Sequence, residues 1–170
     1  GAGIGSGSNG DNRKGAVTIN ITGGTITKAT GGIYGGAGIG SGNRAKGNTD
    51  ILIKGATKVT AKGGSTAAGI GSGNGSNGST IINIEGGTIT AEGGGKENGS
   101  CQASGAGIGS GGNTLNKTTI NIEGGTITAT GGVSSASDPS YHDSRLSGAG
   151  IGSGSNVSGE TEINIKGAPT

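Results

Sequence analysis

The sequence predicts an all-β chain that winds into a right-handed three-sided parallel β-helix. Two phrases carry this prediction because they alternate along the 170 residues. One is glycine-rich, Gly-Ala-Gly-Ile-Gly-Ser-Gly, and the other is rich in isoleucine and threonine, of the type Thr-Ile-Asn-Ile-Glu-Gly-Gly-Thr-Ile-Thr. A repeat of this kind is typical of solenoids, propellers and other arrays built from one supersecondary unit.

The glycine-rich phrase sets the number of repeats. It occurs four times unchanged and once as a near copy, at 1–7, 36–42, 67–73, 105–111 and 148–154. The central isoleucines of successive copies are 35, 31, 38 and 43 residues apart. We therefore expect about five rungs, with one rung for each repeat of 31–43 residues.

The second phrase predicts strands, because apolar and polar residues alternate along it and the isoleucines then share one face. Glycine pairs mark the turns. Alignment of the repeats places aliphatic residues in three further columns, Ile19/Ile51/Ile82/Ile120/Ile163, Ile21/Ile53/Ile84/Ile122/Ile165 and Ile26/Val59/Ile89/Ile127. Three strands per repeat would stack as parallel sheets about 4.8 Å apart with these columns inside. The general chirality of parallel crossovers favours right-handed winding.

A propeller and a collagen helix fit the repeat less well. A propeller blade needs about four strands in about 40–50 residues, whereas the shortest repeat here has 31 residues and three strands. Collagen requires glycine at every third residue, but glycine here recurs at every second one. We expect residues 1–170 to be a single β-helix segment, excised from a longer repeat protein, whose end rungs need capping.

Composition narrows the classes of function. Two tyrosines and no Phe, Trp or Met predict a thin aliphatic core. The 12 basic and 10 acidic residues give a net charge of +2 without a basic stripe, so nucleic acid is not an expected partner. No apolar run is long enough to cross a membrane, so membrane insertion is not expected. Cys101 is the only cysteine.

The connection that returns to each glycine-rich phrase varies in length and holds the unusual side chains. It is shortest in the first two repeats and grows to 95–104 and 133–147 in the next two. Insertions at one corner project from one side of a solenoid, often the binding side. The candidate ligand-binding residues at this corner are Tyr34, Lys96, Glu97, Asn98, Tyr141, His142, Asp143 and Arg145. Tyr141 would be the amphipathic anchor; the alternative is that tolerated insertions collect here without function.

The sequence predicts no enzyme. His142 stands beside Asp143 and Ser144, but neighbours in sequence do not face one reacting atom for that reason alone. We assign no catalytic residue, no metal ligand and no cofactor. Binding of one structural calcium ion by a loop stays an open alternative. No set of ligands can be named for it, because the calcium-binding repeat is absent and Asp11 occurs in a single turn.

Two outer surfaces have more than one interpretation. Outward Thr-x-Thr pairs would form a hydroxyl array similar to the face of ice-binding β-solenoids, although Lys58 interrupts it. Cross-strand threonine pairs also stabilise ordinary sheets. The glycine-rich phrase would present a nearly bare strip that admits a sugar chain, a second solenoid or a covering loop. The alternative is that its glycines simply permit tight coiling.

Together the two phrases resemble repeats of large secreted or wall-attached surface proteins of Gram-positive gut bacteria of the Firmicutes type. They are similar to the clostridial carbohydrate-binding β-helix family. The resemblance implies an extracellular location and contact with polysaccharide, host glycan and neighbouring repeats, but it carries over no binding residue because the matching positions are scaffold. We predict a non-enzymatic surface or adhesion module that binds glycan through loops 95–104 and 133–147. The alternatives are a purely structural stalk and an ice-binding Thr-x-Thr face.

Overall fold

The computed structural model describes residues 1–8, 15–95, 103–134 and 146–167. This part of the chain forms sixteen short strands and contains no helix. Three parallel sheets contain fourteen of them, and the molecule is a right-handed three-sided parallel β-helix, as predicted.

Two of the parallel sheets have five strands each. The glycine sheet contains β1 (Ile4–Gly5), β4 (Ile39–Gly40), β7 (Ile70–Gly71), β10 (Ile108–Gly109) and β15 (Ile151–Gly152). The asparagine sheet contains β2 (Val17–Ile21), β5 (Thr49–Ile53), β8 (Thr80–Ile84), β11 (Thr118–Ile122) and β16 (Thr161–Ile165). In both sheets each strand pairs with its counterpart one repeat away, so equivalent residues lie opposite one another.

The third parallel sheet has one strand fewer than the other two. This threonine sheet contains β3 (Thr25–Thr30), β6 (Lys58–Lys62), β9 (Thr88–Glu92) and β12 (Thr126–Thr130). In the described residues it has four strands, one for each residue of the predicted column Ile26/Val59/Ile89/Ile127, so the coil has fewer complete turns than the about five rungs that the glycine-rich phrases predict. The last two strands, β13 (Val133–Ser134) and β14 (Leu146–Ser147), pair antiparallel at the base of the 133–147 loop.

The predicted aliphatic columns line the interior. Equivalent isoleucines are opposite one another from rung to rung, and Ile53, Ile84 and Ile122 are buried. At the end of the same column Ile165 is 58% exposed, because no described strand covers β16 on its outer edge. The interior also contains alanines of the threonine sheet and threonines of the asparagine sheet, such as Ala61 and Thr49, which the four predicted columns do not include.

The glycine-rich phrase forms a tight buried loop and not a bare strip. Residues 36–42 are all buried, and the amide of Ala37 donates to the carbonyl of Ser41 at 3.0 Å, which closes the loop. Gly38 lies against the backbone of Lys62, where an added Cβ atom would come within 2.7 Å of the Lys62 amide nitrogen. Tight coiling is therefore the correct interpretation of this phrase in the interior rungs.

The serine of the glycine-rich phrase connects successive rungs, a role that the sequence analysis misses. In each case a serine hydroxyl accepts a hydrogen bond from a glycine amide of the next rung. The pairs are Ser6 with Gly42, Ser41 with Gly73, Ser72 with Gly111 and Ser110 with Gly154, at 2.9, 2.9, 2.9 and 3.1 Å. The signal in the sequence is the serine present in every copy of the phrase.

Substitution of Ser72 tests this serine column. We expect Ser72→Ala to lower the free energy of unfolding by about 1–3 kcal/mol, because it leaves the buried Gly111 amide without its acceptor. The matched control is Ser158→Ala at an exposed serine, for which we expect a change within about 0.5 kcal/mol. Urea unfolding followed by circular dichroism measures both. Equal changes in the two variants would contradict a stabilising role for the column.

Asparagine occupies the left-handed position of the turns in only some of the rungs. Asn113 and Asn156 adopt the left-handed backbone expected of asparagine in these turns, with φ of 56° and 57°, but Arg44 takes this conformation in the second rung.

On the outer face of the asparagine sheet, the amide of Asn121 donates to Asn83 at 2.7 Å and that of Asn164 donates to Asn121 at 3.0 Å. An amide ladder therefore reinforces this sheet.

Candidate functional site

Of the eight predicted ligand-binding residues, only Tyr34 lies in the part of the chain that the structure describes. It follows β3 at the corner between the threonine and glycine sheets, and its side chain is 79% exposed beside Ile33, which is 75% exposed. The other seven lie outside the described residues: Lys96, Glu97, Asn98, Tyr141, His142, Asp143 and Arg145. The predicted recognition surface is thus described only at Tyr34 and at the bases of its loops.

The bases of loops 95–104 and 133–147 contact one another. The Ser104 hydroxyl donates to the carbonyl of Leu146, and the Ser134 hydroxyl donates to the carbonyl of Ala103. The two hydroxyl oxygens lie 3.2 Å apart and both serines are buried. An added Cβ atom at Gly95 would meet the carbonyl oxygen of Val133 at 1.8 Å. The two loops therefore start from one tightly packed base, at which their ends contact each other.

A groove of about 880 Å³ runs beside these loop bases, across four rungs. In each rung the chain passes from the end of a threonine-sheet strand, through a glycine pair, to the corner residue. The polar wall consists of Thr30, Lys62, Glu92 and Thr130, and the corner wall consists of Ile33, Ser65, Gly95 and Val133. Four rungs at about 4.8 Å spacing extend over about 14 Å. We name this feature the corner groove.

Glycines form the floor of the corner groove because the rungs stack too closely there to leave room for side chains. A Cβ atom added to Gly94 would lie 1.7 Å from the carbonyl oxygen of Gly64, and one added to Gly64 would lie 1.9 Å from that of Gly32. Real Cβ atoms do not approach backbone oxygen so closely. The packing of the rungs is therefore enough to explain why these positions are glycine. The bare floor of the groove is a consequence of this stacking.

One ion pair lies in the polar wall. Lys62 and Glu92 are opposite each other in β6 and β9, and Lys62 Nζ lies 2.6 Å from Glu92 Oε1. Both side chains are about half exposed, at 52% and 51%. They are the only charged residues among those described that line the groove, and their neighbours in the wall are the hydroxyl-bearing Thr30 and Thr130. The polar wall is therefore neutral overall.

A second charged cluster lies away from the groove, at the edge of the asparagine sheet. Lys117 Nζ lies 2.7 Å from Glu162 and 3.5 Å from Glu160. The hydrogen bond with Glu162 raises the pKa of Lys117 above its ordinary value. The hydrogen bonds with Lys117 and then Asn164 lower the pKa of Glu162. In contrast, no ion pair joins Lys54 to Glu85 or Glu123 to Lys166, although all four residues are described and each directly follows a strand of the asparagine sheet.

The threonine array is less regular than an ice-binding face requires. A bulge in β3 places both Thr27 and Lys28 against the single residue Thr60 of β6, and Lys58 occupies a threonine position beside it. The Thr-x-Thr pattern continues without interruption only through β9 and β12 among the described strands. This geometry gives the ice-binding alternative no support.

Among the described residues, no group of three or more His, Cys, Asp or Glu side chains is placed to hold a metal ion. The same residues contain no helix with the length and apolar character to span a membrane.

These features define the class of the protein as a β-solenoid whose rungs are sequence repeats. The family described as Beta helix repeat matches residues 19–43, 51–74, 82–112 and 120–155, which is more than half of the chain. The chain therefore belongs to the Beta helix repeat family. No curated protein and no solved structure matches it. Membership indicates a structural or binding repeat module, whereas the resemblance to clostridial surface proteins stays a prediction.

Proposed function

We propose that this chain is a non-enzymatic, extracellular module of a bacterial surface protein, and that it binds an extended glycan along the corner groove. The observation that carries the proposal is a groove that crosses four rungs with hydroxyl groups on one side and exposed apolar side chains at the other. Its partners would be polysaccharide or host glycan and neighbouring repeats of the same protein, without nucleic acid or membrane insertion.

The chemistry of the walls suits a sugar chain. Sugar rings have apolar faces and hydroxyl edges, so they match a surface that offers both apolar contact and hydrogen bonds. Ile33 and Tyr34 offer exposed apolar surface at the first rung and Val133 does so at the fourth. Thr30 and Thr130 offer hydroxyl groups on the opposite side. A linear chain parallel to the solenoid axis would contact every rung.

The two insertions support the same location for the ligand. Their bases at Gly95 and Val133 are part of the corner wall, and buried serines hold them together. The side chains of loops 95–104 and 133–147 would therefore extend a surface that the groove begins. Tyr34 and Tyr141 would supply the stacking contacts and the charged residues of the loops would supply hydrogen bonds.

A structural stalk is the second candidate, and the rung-to-rung bonding favours it. Serine hydroxyls and asparagine amides connect neighbouring rungs along the axis, in addition to the backbone ladders. Such a solenoid is a rigid rod whether or not it binds a ligand. The two candidates differ in one measurable property, because a stalk needs no affinity for glycan.

Closing the groove with a large side chain tests the proposal. We expect Ser65→Tyr, in the corner wall, to weaken binding to the polysaccharide that the native chain selects from a panel of plant and mucin glycans. Loss of about 1.4 kcal/mol corresponds to about tenfold weaker affinity, and isothermal titration calorimetry measures it. Thr18→Tyr adds the same ring to the exposed face of the asparagine sheet and should leave the affinity unchanged.

Two results would contradict the proposal. Absence of binding to every glycan of the panel would leave the stalk as the function of the chain. Release of reducing ends or unsaturated products from any polysaccharide would overturn its non-enzymatic character.

A further inference from the structure

We propose that the corner groove selects uncharged glycans, and that the Lys62–Glu92 ion pair is the element that sets this selectivity. The inference rests on the proposed glycan-binding function and adds the chemical class of the ligand. It starts from the position of the pair, which occupies the two middle rungs of the polar wall. A chain that runs the length of the groove passes both side chains.

The pair presents no net charge to a ligand. With Nζ and Oε1 2.6 Å apart, a carboxylate or sulfate that approaches Lys62 also approaches Glu92, and the attraction and the repulsion largely cancel. An anionic chain would lose part of its hydration in the groove without a compensating charge, which is unfavourable. A neutral sugar hydroxyl has no such cost, because it can accept from the ammonium group and donate to the carboxylate.

Other described groups do not alter this balance. The polar wall continues as Thr30 on one side and Thr130 on the other, and the corner wall contains Ile33, Ser65 and Val133. The Lys117 cluster belongs to the edge of a different sheet. Opposite charges across neighbouring strands also stabilise a sheet, so the test must separate this structural effect from selectivity.

Substitution of Glu92 converts the neutral pair into an unpaired cation. We expect Glu92→Gln to bind a carboxylated glycan at least about fivefold more tightly than the native chain does at low salt, since one unscreened charge contact supplies about that factor. Salt should reduce the gain. The probes are galactomannan, or the neutral glycan that the native chain selects, and the same polysaccharide after oxidation of its C6 hydroxymethyl groups to carboxylates. The ratio of the affinities for the oxidised and the neutral form measures selectivity, because Glu92→Gln also changes the hydrogen bonds that the wall offers to the neutral form.

Two control variants make the comparison specific. Glu162→Gln changes the net charge by the same amount beside Lys117, away from the groove, and should not raise the affinity for the oxidised glycan. Lys62→Gln leaves Glu92 unpaired and should weaken binding of the oxidised form further. The melting temperature of each variant reports the structural contribution of the pair separately from its selectivity.

The outcomes distinguish the inference from the function on which it rests. If the native chain binds the neutral and the oxidised polysaccharide equally, or if Glu92→Gln and Glu162→Gln raise anion binding to the same extent, selectivity by the ion pair is wrong while glycan binding stands. If the native chain binds neither form nor any other glycan, the proposed function itself is wrong and the inference falls with it.

Discussion

Gly71→Ala should destabilise the solenoid by at least about 3 kcal/mol, because the substitution combines backbone strain with a clash in the interior. Gly71 has φ of +134°, a conformation that side chains rarely adopt. A Cβ atom there would lie 1.9 Å from the carbonyl oxygen of Gly109 in the next rung and 3.2 Å from Ile82 Cδ1. The Gly109 carbonyl has no room to move, since β7 and β10 are paired in the same glycine sheet.

The matched control is Gly23→Ala in the turn between the asparagine and threonine sheets. No atom lies within 4 Å of a Cβ added to Gly23, and the residue is exposed. We expect its free energy of unfolding to change by no more than about 0.5 kcal/mol. Urea unfolding of both variants, followed by circular dichroism, measures the difference. A Gly71→Ala variant as stable as Gly23→Ala would show that the glycine sheet is not close-packed.

Most of the fold could be predicted from the sequence because the repeat carries its own alignment. Equivalent isoleucines at a constant place in each phrase fix the register of neighbouring strands, and Ile53, Ile84 and Ile122 lie opposite one another as expected. The number of complete turns was predicted less accurately than the register. Isolated copies of a phrase at the ends count as repeats in the sequence, whereas a complete turn needs a strand in all three sheets, and the threonine sheet ends at β12.

The glycine-rich phrase could be interpreted only from the three-dimensional structure. Alternation alone is compatible with a bare outer strip, because it states which residues share a face and not what covers that face. The structure places Gly38 against the backbone of Lys62, a contact between the glycine-rich phrase and a strand of the threonine sheet. The serine column has the same origin, since Ser72 and Gly111 meet only after the chain completes a turn.

The corner with the variable loops could be identified from the sequence, but the groove beside it could not. Variable length and unusual side chains indicated the corner at Tyr34, Gly95 and Val133, beside which the corner groove lies. That this corner binds a ligand stays a prediction. The groove itself arises where side chains are absent. Glycine pairs in a sequence indicate a turn as readily as the floor of a groove, so they could not predict it. The pairing of Lys62 with Glu92 joins residues one repeat apart, which becomes visible only when the repeats are stacked.

The second large effect should come from the central isoleucine column. Ile84→Ala removes a side chain that is fully buried, between Ile53 and Ile122 of the neighbouring rungs. Truncation of a buried isoleucine leaves a cavity and typically costs about 2–5 kcal/mol. We expect a loss in this range, since the close-packed backbones on three sides cannot collapse into the space.

Ile165→Ala provides the control within the same column. It is the same substitution at the equivalent position of β16, where the side chain is 58% exposed, so we expect a loss of less than about 1 kcal/mol. Guanidinium unfolding curves of the two variants give the comparison, and the midpoint should fall far more for Ile84→Ala. Because the two substitutions are chemically identical, their difference measures what coverage by a neighbouring rung contributes. Equal losses would mean that the columns do not stabilise the solenoid through rung-to-rung burial, and the stacked interior would then need another source of stability.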